Sequence, residues 1–469
     1  MKMHIGGQWL DKDEKIEVQN PYDGSVIDTV PKSTPDDVSK AIATAQKGAQ
    51  VMRRMPAYER YQLLDKAARL MYERQDDLGR TITMEEGKVI AEGVGEAGRS
   101  AETITLSAEE AKRLTGETLD LSAASNGVGK FGFTLRVPCG VVAAITPFNF
   151  PLNLVCHKVG PALAAGNAVV VKPASDTPLS AIKLVEILLE AGFPPEAVSV
   201  VTGSGSTIGD AVASDPRVRK ISFTGSRDVG EHICRTAGLK KVTMELGSNS
   251  PVVVMDDADL DKVADGVALA GFANAGQVCI SAQRILVQEK AYDDFTDALK
   301  SRVEGITTGD PLTEATKMGP MIRESDAERV ESWVQDAVAG GARLVAGGSR
   351  SGTMHQPTIL ADVEPGMRVS CDEIFGPAVA LTRVGDIDRA IAIANDTNYG
   401  LSASIFTQDI DRAIKYAQNV DSGNIHINWG TMWRADMMPY GGVKDSGMGK
   451  EGPKYTVQEM TETKMVVIH

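Results

Sequence analysis

The sequence has no apolar run long enough to cross a bilayer. Its longest apolar stretches, such as VVAAI after Gly140, are far shorter than the roughly 20 residues that a membrane-spanning helix needs. The first residues, MKMHIGG, also lack a basic segment followed by an apolar one. The sequence therefore predicts no signal peptide and no membrane anchor, and it favours a cytoplasmic location.

Cysteine is also scarce, and the 63 acidic residues outnumber the 49 basic residues. Five cysteines are scattered, with no C-x-x-C pair and no histidine at metal-ligand spacing: Cys139, Cys156, Cys234, Cys279 and Cys371. This pattern indicates reduced thiols, of which at most one is chemically active. A formal net charge of −14 and a pI near 5.1 disfavour nucleic acid or an anionic membrane as a partner.

The length and the changing pattern along the chain indicate several domains. A chain of 469 residues is too long to fold around one simple hydrophobic core, so two or three domains are expected. Residues 35–114 follow mostly the spacing of amphipathic helices, as in Asp36 to Arg53 and Tyr58 to Leu78. Residues 115–137 instead predict an extended hairpin with a turn at Ser-Asn-Gly.

From residue 138 onward, short apolar runs alternate with helix-like stretches. A first series comprises VVAAIT, AVVVKP, VSVVTG, KISFTG and KVTMEL, and a second, near Pro251, comprises PVVVM, RILVQ, ARLVAGG, AVALTRV and SASIF. This rhythm predicts an α/β fold of mostly parallel sheets with ligands beyond the carboxyl strand ends. Residues 455–469 alternate like an edge strand that needs a partner, for which the 115–137 ribbon of a neighbouring subunit is a candidate.

Three residues are candidates for chemistry. Cys279, in NAGQVCIS, is a candidate nucleophile beside a backbone N–H that can bind an oxyanion, although an apolar context also suits inert packing. Glu245 ends the run KVTMEL before a glycine, which suits a general base or an exposed strand-end charge. Asn149, held between two prolines in TPFNFP, suits an oxyanion donor or an ordinary turn.

Other segments suggest nucleotide binding. The segment VTGSGSTIG (201–209) follows a strand and opens a helix, but its glycine spacing misses the dinucleotide fingerprint by one position. Phe223 to Ser226 repeats a strand–glycine–helix geometry that can face a phosphate. Lys172, at the end of AVVVKP, suits a ribose hydroxyl or a solvated position.

Together these segments closely resemble the aldehyde dehydrogenase superfamily, in order and across nearly the whole chain. The matching blocks are TPFNFP, VVKPAS, SFTGS, MELGSNSPVVVMDDAD, NAGQVCISAQR, DEIFGP, NDTNYGLSASIF and PYGGVKDSG. The resemblance implies a Rossmann-like cofactor domain (1–114 and 138–247), an α/β catalytic domain (248–450) and a small β oligomerisation extension (115–137 and 451–469). It also implies a homo-oligomer, dimeric or tetrameric, and a reaction without a metal.

The resemblance further implies a reaction. Cys279 attacks an aldehyde, while the Asn149 amide and the Cys279 N–H stabilise the oxyanion. Hydride passes to the nicotinamide of NAD or NADP and leaves a thioester, which is hydrolysed by water that Glu245 activates. Glu373 and Phe375 are implied contacts of the nicotinamide ribose and ring, and Lys172, Gly225 and Ser226 are implied contacts on the adenosine side. The other implied cofactor contacts lie on the same loops: Ile145, Thr146, Pro147, Phe148, Ser175, Gly205, Gly209, Phe223 and Leu246.

The chain departs from the family pattern at two positions. Ser175 stands where NAD-preferring members commonly carry a glutamate. A serine can hydrogen-bond the 2′-phosphate of NADP, which a carboxylate would repel, so NADP is expected to be accepted and even preferred. Arg227 stands where a small polar residue is usual, and the sequence assigns it no role.

Three cationic or titratable side chains indicate the class of substrate. His157 and Arg434 resemble positions used by dehydrogenases of lactaldehyde, glyceraldehyde 3-phosphate, phosphonoacetaldehyde and sulfolactaldehyde, and Arg99 is a candidate to join them. Such groups would bind a short polar or anionic aldehyde, whereas Arg99 in a salt bridge and His157 as a satisfied helix histidine are the alternatives. Val278 occupies a position where some phosphate-specific relatives carry arginine, which favours a small hydroxyaldehyde or a weakly held anion.

Two other functions stay open. A coenzyme A-acylating semialdehyde dehydrogenase would resolve the thioester with a thiol, and such enzymes often lack the carboxylate of Glu245. A non-catalytic scaffold with this fold would have no physical reason to keep Cys279, Glu245, Asn149 and Glu373 together.

Overall fold

The computed structural model describes every residue from Met1 to His469. Its strands are β1 (Met3–Ile5), β2 (Gln8–Leu10), β3 (Lys15–Gln19), β4 (Val26–Pro31), β5 (Thr118–Leu119), β6 (Phe131–Pro138), β7 (Val141–Ile145), β8 (Ala168–Lys172), β9 (Val198–Val200), β10 (Lys220–Thr224), β11 (Lys241–Glu245), β12 (Pro251–Val254), β13 (Arg284–Gln288), β14 (Arg343–Ala346), β15 (Arg350–Ser351), β16 (Met354–His355), β17 (Thr358–Ala361), β18 (Ala378–Val384), β19 (Ser402–Phe406), β20 (Asn424–Ile427), β21 (Gly447–Met448) and β22 (Thr461–Ile468).

The helices are α1 (Pro35–Arg54), α2 (Ala57–Glu73), α3 (Gln75–Glu86), α4 (Ile90–Ala111), α5 (Asn153–Ala164), α6 (Leu179–Ala191), α7 (Asp210–Ser214), α8 (Arg227–Ala237), α9 (Leu260–Phe272), α10 (Tyr292–Glu304), α11 (Glu324–Ala339), α12 (Arg368–Cys371), α13 (Ile387–Asn395), α14 (Ile410–Asn419) and α15 (Pro453–Glu459). None of these helices combines the length and the apolar character needed to cross a membrane.

The amphipathic patterns of the N-terminal region form helices as predicted, with one difference. Helix α1 begins at a capping box in which the side chains of Thr34 and Asp37 each accept a hydrogen bond from the other's backbone N–H. The pattern from Tyr58 to Leu78 is not one helix but α2 and α3, which meet at Arg74. The break lets α3 pack along α4, where the Gln75 amide donates to the carbonyl of Val94 at 3.0 Å.

The first α/β series forms an eight-stranded sheet in the order β2-β1-β9-β8-β7-β10-β11-β21. The five strands from β9 to β11 are parallel, as predicted, and they are apolar along almost their whole length because helices cover both faces. The chain order within this set reverses between β7 and β10. Such a reversal opens a crevice at the carboxyl ends of the two strands, where nucleotides bind in doubly wound sheets.

The second series forms a separate seven-stranded sheet in the order β14-β17-β18-β13-β12-β19-β20, again as predicted. All pairs are parallel except the edge pair β14–β17. The second sheet has its own hydrophobic cores, distinct from the core around the first sheet. The two sheets are therefore separate α/β layers, with a cleft between their carboxyl ends.

The C-terminal strand finds its partner within the chain. Strand β22 pairs antiparallel with β6 along its whole length, from Thr461 opposite Pro138 to Ile468 opposite Phe131, and β5 adds a third strand. The expected pairing with a neighbouring subunit is therefore wrong. The reason is that α15 packs against α4 and α5 and delivers the chain directly to the end of β6.

Candidate active site

Cys279 lies on an irregular segment between α9 and β13. The three residues Asn274, Ala275 and Gly276 all have positive φ (49°, 52° and 70°), a conformation that costs energy for the first two. A Cβ on Gly276 would lie 2.1 Å from the carbonyl oxygen of Gly376. The nucleophile segment therefore packs directly on the backbone of the 373–376 loop, and only glycine allows this approach.

Substituting Gly276 by alanine is expected to displace this segment. The added methyl meets main chain, which cannot yield as a flexible side chain can, so unfolding stability should fall by about 1–3 kcal/mol and catalytic activity with it. Thermal unfolding and initial rates measure both effects. Gly366→Ala is the matched control, because a Cβ there meets nothing within 4 Å and its φ is not in the positive range; equal loss in both variants would contradict the prediction.

Asn149 and Cys279, proposed together from the sequence, are neighbours in the structure. The Asn149 amide nitrogen donates to the carbonyl of Gln277 at 2.8 Å, two residues before the cysteine. Asn149 is buried, and its amide keeps a second N–H. That group suits an oxyanion formed beside the sulfur.

A buried polar cluster that the sequence did not reveal supports this arrangement. The Lys88 ammonium donates to the Asn149 carbonyl at 2.7 Å, pairs with Glu96 at 2.7 Å, and lies over the Phe150 ring. The Asn274 amide donates to Glu86 at 2.8 Å and to the same Asn149 carbonyl at 3.3 Å. Lys88 follows two glutamates at the end of an amphipathic helix, so its sequence context resembles a solvated surface.

Glu245 ends strand β11 with both carboxylate oxygens buried and without a hydrogen-bond partner. Burial, reinforced by the charge of Glu451, raises the pKa of the Glu245 carboxyl well above its ordinary value. An unpartnered buried carboxyl at a strand end suits a base that handles a water or a substrate oxygen.

Tyr440 lies next to the candidate nucleophile, and the sequence did not identify it. Its hydroxyl lies 3.0 Å from the Cys279 sulfur. Desolvation raises the pKa of the Cys279 thiol to about 12, with a smaller opposing effect from this hydrogen bond. The thiol is therefore protonated at rest. The only sequence signal was the position of Tyr440 within PYGGVKDSG.

The three side chains proposed for substrate binding converge on Asp436. Arg99 makes a two-pronged hydrogen bond to its carboxylate at 2.8 and 3.1 Å, and His157 contacts it at 2.9 Å. An Arg434 amino group lies 3.3 Å from the other nitrogen of His157. The alternatives noted for Arg99 and His157, a salt bridge and a satisfied histidine, are therefore both realised.

Asp436 reduces the positive charge of this group. Burial and the charge of Arg434 lower the pKa of His157. Its Nε2 lies 2.9 Å from Asp436 and its Nδ1 lies 3.3 Å from Arg434, which can only donate, so the neutral tautomer with its proton on Nε2 fits both contacts. His157 and Arg99 hold the pKa of Asp436 well below its usual range despite its burial. Two guanidiniums and one carboxylate leave a single net positive charge. The buried Arg434 Nε has no hydrogen-bond partner, so one donor stays free for a ligand.

A buried ion pair lies behind this group. The Lys158 ammonium binds Glu451 at 2.6 Å and the Thr224 hydroxyl at 2.7 Å, and all three residues are buried. The second Glu451 oxygen has no hydrogen bond and lies 3.7 Å from Arg434. Although burial opposes it, Lys158 holds the pKa of Glu451 below its usual value, and the resulting carboxylate raises that of Glu245.

The crevice between β7 and β10 carries groups that fit a nucleotide. Ile145 ends β7, and the following Thr146 has a buried hydroxyl without a partner. Burial lowers the pKa of Lys172, at the end of β8, to about 8. Helix α8 begins after Ser226 with no side-chain cap, so its first backbone N–H groups are free to bind a phosphate. Phe223, Gly225 and Leu246 lie at the ends of the adjoining strands β10 and β11.

The glycine-rich segment after β9 differs from the expected helix start. Gly205–Gly209 forms a single π-helical turn, followed only by the short helix α7. The Ser175 hydroxyl donates to the Gly203 carbonyl at 2.9 Å, which ties this turn to the end of β8. Ser175 therefore lies between the Lys172 and glycine-rich segments.

Glu373 and Phe375 close the cleft from the second sheet. One Glu373 oxygen accepts the backbone N–H of Ser248 at 2.8 Å, and desolvation raises the pKa of this carboxyl to about 7. Phe375, at a positive φ of 45°, packs edge-on against Phe148 with ring centroids 5.9 Å apart. The Pro147–Phe148 turn and the 373–375 loop thus meet across the cleft. No group of three histidine, cysteine or carboxylate residues that could hold a metal ion is present, and all five cysteines are unpaired.

Comparison with known families agrees with this geometry. The model of the aldehyde dehydrogenase family matches residues 9–466. The chain belongs to the aldehyde dehydrogenase family.

Within the family, similar proteins align over almost the full chain. A 3-sulfolactaldehyde dehydrogenase of Priestia aryabhattai is 47 % identical over 467 residues, which cover 100 % of this chain and 98 % of that protein. The NADP⁺-type succinate-semialdehyde dehydrogenase of Escherichia coli is 41 % identical over 99 % of this chain and 97 % of its own. The structure of an NADP-dependent glyceraldehyde-3-phosphate dehydrogenase from Bacillus halodurans, complexed with NADP, has a TM-score of 0.97, with 38 % identity, and covers 100 % of this chain and 98 % of its own.

Arg227, unexplained by the family pattern, has a structural partner. As the first residue of α8 it contacts Asp228 at 3.1 Å and approaches Asp445 at 3.7 Å. It therefore bridges α8 to the loop that contains β21 and Tyr440, beside the proposed nucleotide crevice.

Proposed function

We propose that the protein oxidises a short polar or anionic aldehyde to its carboxylic acid, with NADP⁺ or NAD⁺ as hydride acceptor. The observation that carries the proposal is the meeting of three groups in one cleft: a thiol (Cys279), an adjacent amide donor (Asn149) and an unpartnered buried carboxyl (Glu245). Acyl transfer to water needs these three roles: nucleophile, oxyanion donor and base.

In the proposed reaction, the Cys279 thiol loses its proton to solvent, and the sulfur then adds to the aldehyde carbon. The free Asn149 N–H and the Cys279 backbone N–H bind the resulting oxyanion. A bound nicotinamide supplies the hydride acceptor, and Glu373 and Phe375 are the residues proposed to hold its ribose and ring. After hydride departs, Glu245 takes a proton from water, which attacks the thioester and releases the acid and the thiol.

The polar group around Asp436 supports the proposed substrate class. Arg99 is partly exposed. Arg434 has a buried Nε–H without a hydrogen-bond partner, and its guanidinium lies over the ring of Tyr440, which contacts Cys279. An aliphatic or aromatic aldehyde would leave the Arg434 donor unpaired, which a polar or anionic aldehyde avoids. The net charge of one favours a weakly held monoanion over a doubly charged phosphate. The activities named for the similar dehydrogenases, which include sulfolactaldehyde and succinate semialdehyde, fall in this class.

We assign cofactor binding to a domain of residues 1–114 and 138–247 and catalysis to a domain of residues 248–450. We assign oligomerisation to residues 115–137 and 451–469. One face of the three-stranded sheet of the last unit presents the exposed apolar side chains of Phe131, Leu135 and Ile468, which suits contact with a second copy. NADP⁺ is the proposed preference because Ser175 adds no negative charge beside the Lys172 ammonium. The protein is proposed to act in the cytoplasm, in agreement with its five unpaired thiols.

Initial rates of nicotinamide reduction with NADP⁺ and with NAD⁺ test this proposal. The aldehyde panel comprises lactaldehyde, glyceraldehyde 3-phosphate, succinic semialdehyde, sulfolactaldehyde, phosphonoacetaldehyde, propanal and benzaldehyde. We expect the short polar and anionic members to be oxidised fastest, and turnover with NADP⁺. Activity on propanal or benzaldehyde alone would contradict the substrate class, and full turnover with NAD⁺ but none with saturating NADP⁺ would contradict the cofactor assignment. An acyl-coenzyme A product on adding coenzyme A would favour the acylating alternative.

A further inference from the structure

Tyr440 is the side chain that hydrogen-bonds the candidate nucleophile. Its hydroxyl lies 3.0 Å from the Cys279 sulfur and makes no other hydrogen bond in the structure. Tyr440 is only 4 % exposed, so water does not compete for this hydroxyl. The phenol is therefore committed to the sulfur.

The Tyr440 ring is held from two directions. The Arg434 guanidinium lies 3.8 Å from the centroid of its ring face. The Tyr440 backbone exchanges two hydrogen bonds with that of Glu451, which lies behind the site. A cation over the ring face is attracted to it, so this contact fixes the ring plane and withdraws electron density from the phenol. Both effects favour a directed O–H donor.

The groups that face the sulfur oppose one another. Carboxyls of Glu373 and Glu245 disfavour a thiolate, whereas the Tyr440 hydrogen bond and the Arg434 charge favour it. Burial raises the pKa of Tyr440 well above its ordinary value, so the phenol retains its proton. Of the favourable groups, only the phenol contacts the sulfur directly.

We propose that Tyr440 is a positioning residue for Cys279: its O–H donates a hydrogen bond that fixes the sulfur in the site and stabilises its thiolate. This inference rests on the proposed role of Cys279 as the nucleophile. Tyr440 keeps its proton throughout, and the thiol proton passes to a water molecule or hydroxide ion of the solvent. The phenol thereby supplies a stabilising contact that a phenylalanine at this position could not make.

The test is the alkylation of Cys279 by iodoacetamide across a range of pH, in Tyr440→Phe and in the unsubstituted enzyme, followed by peptide mapping. The variant keeps the ring and its contact with Arg434 and loses only the donor. A hydrogen bond to a charged acceptor is stronger than one to a neutral acceptor. We therefore expect the apparent pKa of Cys279 to rise by about one unit and its alkylation rate below that pKa to fall roughly tenfold.

Two controls isolate the effect. Tyr399→Phe removes a phenol whose hydroxyl makes no hydrogen bond to the sulfur, and its alkylation profile should not move. Cys279→Ala identifies labelling at the other four cysteines. Tyr440→His, which retains an N–H donor, should keep more of the alkylation rate than Tyr440→Phe.

An unchanged pH profile in a Tyr440→Phe variant with a normal thermal unfolding transition would overturn the inference. So would an equal loss in Tyr440→Phe and Tyr440→His. Because alkylation requires neither aldehyde nor nicotinamide, the result is independent of the oxidation assay. If no aldehyde is oxidised but Tyr440→Phe shifts the alkylation profile as expected, the proposed function is refuted and the role of Tyr440 is supported.

Discussion

Replacing Cys279 with alanine is expected to abolish aldehyde-dependent reduction of NADP⁺ and NAD⁺, with a loss of roughly 10⁴-fold or more. The loss is this large because Cys279 is the thiol beside the Asn149 amide donor, and without a covalent adduct neither hydride departure nor acyl transfer can follow. Initial rates at saturating cofactor measure it.

Cys371→Ala is the matched control. Its thiol is exposed and contacts only the backbone carbonyl of Pro365, so full activity is expected. Cofactor binding, followed by quenching of protein fluorescence, should be unchanged in both variants. Residual oxidation by Cys279→Ala above a few parts in 10⁴ would mean that another residue provides the nucleophile.

Replacing Glu245 with glutamine is expected to block the second half of the reaction. Adduct formation and hydride departure continue, so rapid mixing should give a burst of about one equivalent of reduced nicotinamide per site. Steady turnover should then fall by roughly 10²–10⁴-fold, the usual contribution of a general base. Glu117→Gln, an exposed glutamate without a side-chain contact, should behave as the unsubstituted enzyme.

The same residue predicts the pH dependence of turnover. Burial and the Glu451 carboxylate raise the pKa of Glu245, and below that pKa the group holds its proton and cannot accept one from water. Thioester hydrolysis should therefore increase as pH rises through this pKa, and the increase should be absent in Glu245→Gln. Loss of the burst itself in the variant would contradict the assignment, since it would move Glu245 to the first half of the reaction.

The sheets could be predicted, and a candidate nucleophile proposed, because their sequence signals are local. Runs such as AVVVKP and PVVVM are apolar throughout because helices cover both faces of their strands, and the structure has strands at those places. Asn149 and Glu245 were proposed because each follows or ends such a strand, and parallel strands bring their carboxyl ends to one edge. This rule places side chains distant in sequence at the same cleft without further information.

The partners of these residues could not be predicted, because their contacts join distant segments. Asp436 binds Arg99 across 337 positions, and Lys158 binds Glu451 across 293. Nothing near Arg99 in the sequence distinguishes a substrate-binding cation from one already paired. The sequence left a neighbouring subunit as a candidate partner of the C-terminal strand for the same reason, since the pairing of this strand depends on the path of α15.

The protonation state of the site was also beyond the sequence. The desolvation that raises the pKa of Cys279 depends on how the folded chain surrounds the sulfur. The structure therefore adds the condition that a proton must leave the thiol before attack. It also shows the Tyr440 hydroxyl at 3.0 Å from the sulfur, the contact on which the proposed positioning role rests.

Peptide mapping of the Glu245→Gln variant, quenched after mixing with NADP⁺ and an oxidised aldehyde, tests the central claim most directly. The account predicts an acyl group on the peptide that contains Cys279, with a mass equal to that of the carboxylic acid product less water, and none on the same peptide of the doubly substituted Cys279→Ala enzyme. An acyl group on a different residue, or a nicotinamide burst with Cys279 unmodified, would contradict a thioester mechanism at this cysteine.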